Sequence, residues 1–310
     1  MTQTLRIATR QSTLALWQAN YVRDLLLASN PVLQVEIIGF TTEGDRNQRS
    51  PLSEIGGKGL FVKELEHALL SGAADIAVHS MKDVPGELPA GLEIAVICER
   101  ADPRDALITR NGSPLNSFGS KARIGTSSLR RRLQLLQKFP DLDYLDLRGN
   151  VDTRLRKLDD GLFDAIVLAT AGLNRLGLAD RISEHIPVNT CLPAAGQGAV
   201  GIECRSDDQS VKSAIEPINH EDTELCVRAE RAVTAHLGAN CTLPIAVYAD
   251  LQGARLSLQS FVSDFSGQRI LRKAAVGEKQ DGLRVAEEVA LGLRSEGAAA
   301  LIADEGEHIR

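Results

Sequence analysis

Gly125-Thr126-Ser127-Ser128-Leu129-Arg130-Arg131-Arg132 is the stretch on which the fold of this chain turns. It follows a short strand-like run, Arg123-Ile124, and opens a helix. Thr126, Ser127 and Ser128 are residue types that cap helix N-termini, and Leu129, Leu133 and Leu136 recur at helical spacing. A strand that hands over directly to a capped helix is the repeating unit of an α/β domain. Three arginines crowd the first helical turn, the end that already carries partial positive charge. Stability alone favours carboxylates there, so the conflict points to an anion for the arginines to meet. A basic helix face turned to solvent is the competing explanation.

Moving outward, the same handover recurs. Leu5 to Thr9 reads as a buried strand, followed by Arg10-Gln11-Ser12 and a helix from about Leu14 to Leu27. Val35 to Thr41 is a second strand, and a polar loop runs from Thr42 to Ser53. Gly56-Gly57-Lys58-Gly59 is glycine-rich and precedes a helix over Leu60 to Leu70. Asp75 to Val78 is a third strand and ends in His79-Ser80-Met81-Lys82-Asp83-Val84-Pro85; Leu92 to Cys98 is a fourth. A second α/β set begins after Asp102-Pro103-Arg104-Asp105. Its strands fall near Arg123-Ile124, Tyr144 to Leu147 and Ala165 to Leu168, with helices starting near Ser128, Asn150 and Ala171. Alternation of this kind predicts mainly parallel sheets.

The segment 192–201 spells GxGxxG at Gly196, Gly198 and Gly201. No strand precedes it, and strand-like Ile202-Glu203-Cys204 rather than a helix follows, so it is a crossing segment or hinge, not a dinucleotide fingerprint. A long helix from Glu221 to Leu237, strands alternating over 245–275 around Gln252-Gly253 and Ser266-Gly267, and a helix near Asp281 to Leu293 make a smaller α+β part.

At 310 residues the chain is too long for one ordinary core, and two or three domains are expected. A formal net charge of -6 argues against a nucleic-acid or membrane-surface protein, and 4% aromatic residues are too few for base-stacking platforms. No apolar run approaches the ~20 residues that span a bilayer. The N-terminal residues Met1 to Arg6 lack an apolar signal core, so a cytoplasmic protein is expected. Five cysteines without a CxxC pair make a disulfide framework or structural zinc site an unfavoured reading. The six histidines lack ligand spacing, and no metal is expected.

In open α/β sheets ligands bind at the carboxyl ends of the strands. Here those ends carry Arg10 and Ser12; Ser80, Lys82 and Asp83; Thr126 to Arg131; Arg148-Gly149-Asn150 with Arg154; and Thr170 with Arg175. Helix N-termini add to their positive potential. The pattern predicts a cleft between two α/β domains for a polyanion. Arginine outnumbers lysine, which suits bidentate grip on carboxylate or phosphate, and no P-loop is present. A ligand with several carboxylates along its length fits best. Asp83 is the acid among the bases. It is either an ion-pair partner of Lys82 or an arginine, or a proton carrier that stabilises a cation made in the cleft. His79 reads as packed or hydrogen-bonded rather than as a base. Lys58 is either a lid contact or solvated. Cys98, Cys204 and Cys226 lie in apolar elements and read as small core residues; Cys191 is ambiguous. Cys241, in the turn Gly238-Ala239-Asn240-Cys241-Thr242-Leu243-Pro244, is the candidate reactive thiol.

Taken together, Arg10-Gln11-Ser12, Gly56 to Phe61, His79 to Pro85, Gly125 to Arg131, Leu147 to Val151 and Leu192 to Gly198 resemble the porphobilinogen deaminases, also called hydroxymethylbilane synthases. The likeness runs in order from the N-terminus through the Cys241 turn. It implies a transferase of tetrapyrrole (haem) biosynthesis that joins four porphobilinogens head to tail with loss of ammonia. It implies two lobes like those of type II periplasmic binding proteins and a third, α+β domain. The expected divisions are 1–99 with 200–217, 100–199, and 218–310. It also implies a dipyrromethane cofactor held by a thioether, the matching position being Cys241. The family's catalytic aspartate falls on Asp83. Its cofactor-binding residues fall on Lys82, Thr126, Ser128, Arg130, Arg131, Arg148 and Arg154, and its substrate-side residues on Arg10, Ser12, Arg175, Gln197 and Lys58. A monomer working on a small molecule, with neither nucleic acid nor membrane as partner, is the expectation. Two positions depart from the family pattern: Ala239-Asn240 stands where Gly-Gly is usual, and Glu54 where a basic residue is common.

Two other classes compete. A two-lobed binding protein for a multicarboxylate ligand has the same layout but needs a signal peptide and neither Asp83 nor Cys241. A DNA-binding regulator needs a helix-turn-helix segment, for which the strand Leu5 to Thr9 leaves no room.

Overall fold

The computed structural model describes residues 4–46, 62–238 and 243–303. These fall into two compact units, one from Met1–Ala101 with Ala199–Glu224, the other from Asp102–Gly198 with Leu225–Arg310.

In the first unit, β1 (Thr4–Arg10) is almost continuously buried from Leu5 to Thr9, as a central parallel strand must be. It lies between β2 (Gln34–Phe40) and β3 (Ile76–Ser80), parallel to both. The Ser12 side chain accepts a hydrogen bond from the Ala15 amide and so starts α1 (Thr13–Ser29). A one-turn helix α2 (Glu43–Arg46) and α3 (Lys63–Leu70) follow. The sheet is completed by β4 (Leu92–Ile97) and by β10 (Val200–Arg205), which returns from far along the chain and inserts antiparallel between β3 and β4. The order is β2-β1-β3-β10-β4. α7 (Gln209–Ile215) packs Val211 and Ile215 into the core on the α1 side, with Val22, Leu26 and Ile202.

The second unit holds two sheets. β6 (Arg123–Gly125) runs parallel to β7 (Asp143–Leu145) and β8 (Ala165–Ala169), while β5 (Asp105–Thr109) pairs antiparallel with β8 and with β9 (Glu184–Ile186). Each five-stranded sheet is therefore mixed, where mainly parallel sheets were expected. β5 is a strand that periodicity misses. It is five residues long, buried at every position, and opens on a carboxylate. The helices are α4 (Leu129–Lys138), α5 (Val151–Asp159) and α6 (Thr170–Arg175). Ser128 caps α4 and Asn150 caps α5 through their side chains, as their positions suggest.

After α8 (Glu221–His236), the strands β11 (Ile245–Gln252), β12 (Arg255–Ser263) and β13 (Ile270–Glu278) form an antiparallel meander, followed by α9 (Gly282–Ser295) and α10 (Ala298–Ala303). One face of this sheet buries Val247, Leu258 and Val262 against Val233 of α8 and Val289 and Leu293 of α9. The other face places Ala246 and Phe261 against Leu133 of α4 and Leu192. Packing on both faces is why the meander and the second α/β sheet cohere as one unit. The α/β, α/β, α+β order expected from the chain is the order observed.

Candidate anion-binding and catalytic residues

The arginines of the opening stretch do not share one fate. Arg132 is exposed, whereas Arg130 and Arg131 are buried, with side chains 6% and 7% exposed. Both meet Asp105, at the start of β5, which is wholly buried. Arg130 donates through Nη1 to Asp105 Oδ2 at 2.8 Å and to the Leu192 carbonyl at 2.7 Å. Arg131 donates through Nε to Asp105 Oδ1 at 2.9 Å and through Nη1 to the Val167 carbonyl at 3.0 Å. An anion for the helix start is thus supplied from within the chain. It is a single carboxylate between two guanidiniums, so the group keeps one surplus positive charge. Burial alone raises the Asp105 carboxyl pKa, but the charges and hydrogen bonds of Arg130 and Arg131 outweigh it and hold the group below the ordinary carboxylate range.

Gln197 belongs to the same network. It is fully buried, and its amide donates to the Pro103 carbonyl at 2.6 Å and to Asp105 Oδ1 at 3.0 Å, while its Oε1 accepts from Arg130. Gln134, which the sequence did not single out, brackets the Leu192 peptide by accepting from its amide and donating to its carbonyl. Glu230 of α8 accepts from the amides of Gly196 and Ala249. Arg175 donates to the Gly198 carbonyl at 2.7 Å. The crossing segment is therefore stapled to the second unit at Leu192, Gly196, Gln197 and Gly198. Cys191, left open by the sequence, is buried with its thiol 3.3 Å from Asp105; burial, then Asp105, pushes its pKa up to about 12, so it is chemically quiet.

The remaining second-unit candidates gather at helix starts. Thr126 is buried and its hydroxyl accepts from the Ser128 amide; the Ser128 hydroxyl accepts from the Arg131 amide. Arg148 and Arg154 flank the start of α5, with the Arg154 Nε on the Gly149 carbonyl at 2.7 Å and Lys157 on the Arg148 carbonyl. Gly149 holds φ at +113°, and a Cβ there would meet Thr153 at 2.6 Å, so only glycine turns this corner.

In the first unit, Arg10 and Ser12 sit half-buried where β1 passes to α1. Lys82 and Asp83 lie on a 3-10 turn, Met81–Asp83, directly after β3, and both are half-buried. This turn is held firmly. The Met81 amide donates to the Ala199 carbonyl, and Gln18 donates to the Ser80 hydroxyl at 2.8 Å. The Met81 side chain fills the space beside Gly201, where any Cβ would collide with its sulfur. His79 is buried and bonded to Glu203 at 2.8 Å, as a packed histidine rather than a free base. Lys58, Cys241 and the positions Glu54, Ala239 and Asn240 lie outside the described residues. Among the described residues, no group of three or more His, Cys, Asp or Glu is placed to hold a metal ion, and no helix is long and apolar enough to cross a membrane.

Basic residues at strand-to-helix junctions of two mixed sheets, and a buried guanidinium pair sharing one carboxylate, are features of an α/β protein suited to anions. Comparison with known proteins narrows the class. A family model described as porphobilinogen deaminase, dipyromethane cofactor binding domain, matches residues 5–213, and one for the porphobilinogen deaminase C-terminal domain matches residues 224–294. The chain belongs to the porphobilinogen deaminase family. It is a transferase that polymerises porphobilinogen head to tail, with loss of ammonia, to hydroxymethylbilane in tetrapyrrole biosynthesis, and its cofactor is dipyrromethane. Among solved structures, it is similar to the periplasmic aliphatic sulphonate binding protein SsuA from Escherichia coli. That match has 17% identity and a TM-score of 0.39, and covers 76% of this chain and 70% of that one. It is also similar to a zinc-bound ligand binding component of an ABC-type import system from Staphylococcus aureus. There the identity is 15% and the TM-score 0.42, with 74% and 77% of the two chains covered. Likenesses this partial carry no argument about function.

Proposed function

We propose that Asp83 is the catalytic residue of this transferase, that Arg130, Arg131, Arg148, Arg154, Lys82, Thr126 and Ser128 bind the cofactor, and that Cys241 carries it. Arg10, Ser12, Arg175 and Lys58 are on the substrate side in this reading, and Gln197 serves that side from its buried place beside Arg130. The observation that carries it is the buried Arg130–Asp105–Arg131 group, whose single carboxylate leaves a positive charge for an outside anion. Dipyrromethane bears carboxylate side chains, so the residues fit the group. When bound, it supplies the chain end onto which each new pyrrole is added.

The arginines neutralise the acetate and propionate groups that arrive with every ring, and their rigid guanidinium planes orient those groups. At the reacting carbon, ammonia leaves with the C–N electron pair, and positive charge spreads over the substrate's pyrrole. The Asp83 carboxylate stabilises that charge, and it takes up the proton lost when the new C–C bond restores aromaticity. Its turn, tied to Ala199 and packed on Gly201, keeps the carboxylate from drifting.

The chain works, in this reading, as three domains: 1–99 with 200–217, 100–199, and 218–310. It acts as a cytoplasmic monomer on a small molecule, without nucleic-acid or membrane partners. The four described cysteines are buried free thiols, which suits a reducing compartment. Intact mass followed by peptide mapping tests the anchor. Two linked pyrrole units on the Cys241 peptide are expected; an unmodified Cys241 that incubation with porphobilinogen leaves unmodified overturns the attachment.

A further inference from the structure

We infer that His79, gripped by Glu203, is a positioning residue for the Asp83 turn. The inference rests on the catalytic reading of Asp83. Three buried titratable side chains lie together in the first unit: His79 on β3, Glu203 on β10 and Glu66 on α3. In the β3–β10 register His79 stands opposite Gly201, and Glu203 opposite Ala77. Alternation along each strand puts His79 and Ala77 on one face, with Gly201 and Glu203 beside them. Because Gly201 has no side chain, the Met81 thioether occupies its place. His79 bonds Glu203 at 2.8 Å on that same face. His79 on β3 and Met81, the first residue of the turn, are thus both seated on β10 just before Lys82 and Asp83.

This arrangement is a poor one for stability alone. Glu203 is fully buried, and its Oε1 has no hydrogen-bond partner among the described residues. Glu66 is close enough for the Glu203 charge to act on it. Apolar residues of similar size generally stabilise such a place as well or better. What the hydrogen-bonded imidazole adds is direction. It fixes the height at which β3 leaves the sheet, and so where Asp83 stands.

The test is steady-state kinetics on cofactor-loaded enzyme, normalised to cofactor content, for H79L, H79Q and E203L beside D83N. Loss of the grip in H79L should lower kcat about tenfold to a hundredfold with KM little changed, since a misplacement of about 1 Å costs on that order. H79Q keeps an N–H donor of different reach and should fall between H79L and wild type. E203L gives the same reading if H79L does not fold. A purely structural pair would lower yield and melting temperature without touching kcat per loaded molecule. Wild-type kcat in H79Q, with the leucine variants either unfolded or equally active, overturns the inference. Near-normal turnover in D83N instead overturns the catalytic reading on which it rests.

Discussion

Two buried charged groups, one in each unit, are built on the same plan with opposite stoichiometry. Arg130, Arg131 and Asp105 set two bases against one acid. His79, Glu203 and Glu66 set two acids against one base. The first has a surplus positive charge and draws its carboxylate below the ordinary range. The second has a surplus of carboxylate, and burial, then the Glu203 charge, push the Glu66 carboxyl above its ordinary range. A base-rich core calls for an anion from outside. An acid-rich core takes up a proton and needs nothing more. This difference is what supports proposing a binding role for the second-unit group and a positioning role for the first-unit group.

The sharpest break in the comparison comes from the residue that the first-unit group supports. Asp83→Asn keeps the size and removes the charge. Turnover should fall about 10²–10⁴-fold, the range that general acid–base groups command, with the melting temperature unchanged. Rapid-quench measurement of ammonia release checks it; a decrease of less than tenfold sinks the role.

Next comes the base-rich core itself. Asp105→Asn leaves two guanidiniums buried without a carboxylate, and should cost about 3–5 kcal/mol in denaturant unfolding. The sign with pH follows from the depressed carboxyl. Its contribution is present above the unfolded carboxylate pKa and is lost as pH falls through the folded one. Wild type should therefore lose this stability on acidification, while the Asn variant should show a flatter acid limb. Equal acid limbs would mean that Asp105 does not carry the group. Arg131→Leu is milder for the fold, because Arg130 still bonds both Asp105 oxygens. It cancels the surplus charge, so the purified protein should lack much of its cofactor by intact mass. Wild-type cofactor content in that variant would separate the surplus charge from binding.

The sequence made one half of this comparison visible and hid the other. The cap at Ser128 and the helix start at Asn150 were legible because such side chains bond an amide three residues on, as both do; the same bond at Ser12 was not read in advance. Helix and hairpin boundaries followed from periodicity and glycine turns. The crowded arginines were legible as a conflict, and the conflict was real. Its internal partner was not, since Asp105 is 25 residues away from Arg130, on a strand too short and too polar at its start to declare itself. His79 and Glu203 are 124 residues apart and meet only because β10 returns to lie against β3. Local hydrogen bonds and periods can be read along a chain; the pairing of buried charges depends on sheet order.

The smallest expected effect tests the acid-rich side alone. Glu66 has a folded-state pKa raised first by burial and then by Glu203, with His79 and Lys63 pulling the other way. A carboxyl raised on folding favours the folded state while it keeps its proton. That advantage is full below the unfolded carboxylate pKa and is lost as pH rises through the folded value. As pH rises through that folded value, charge therefore builds on Glu66 inside the core, where the Glu203 carboxylate opposes it. Glu66→Gln removes the ionisation and keeps the shape. Its melting temperature should exceed wild type at pH 8 by about 2–4 °C, the shift that roughly 1 kcal/mol gives at this size, and the difference should shrink toward pH 5. A variant less stable than wild type at pH 8 would show that Glu66 is held ionised by partners that outweigh Glu203, and the two cores would no longer be opposites.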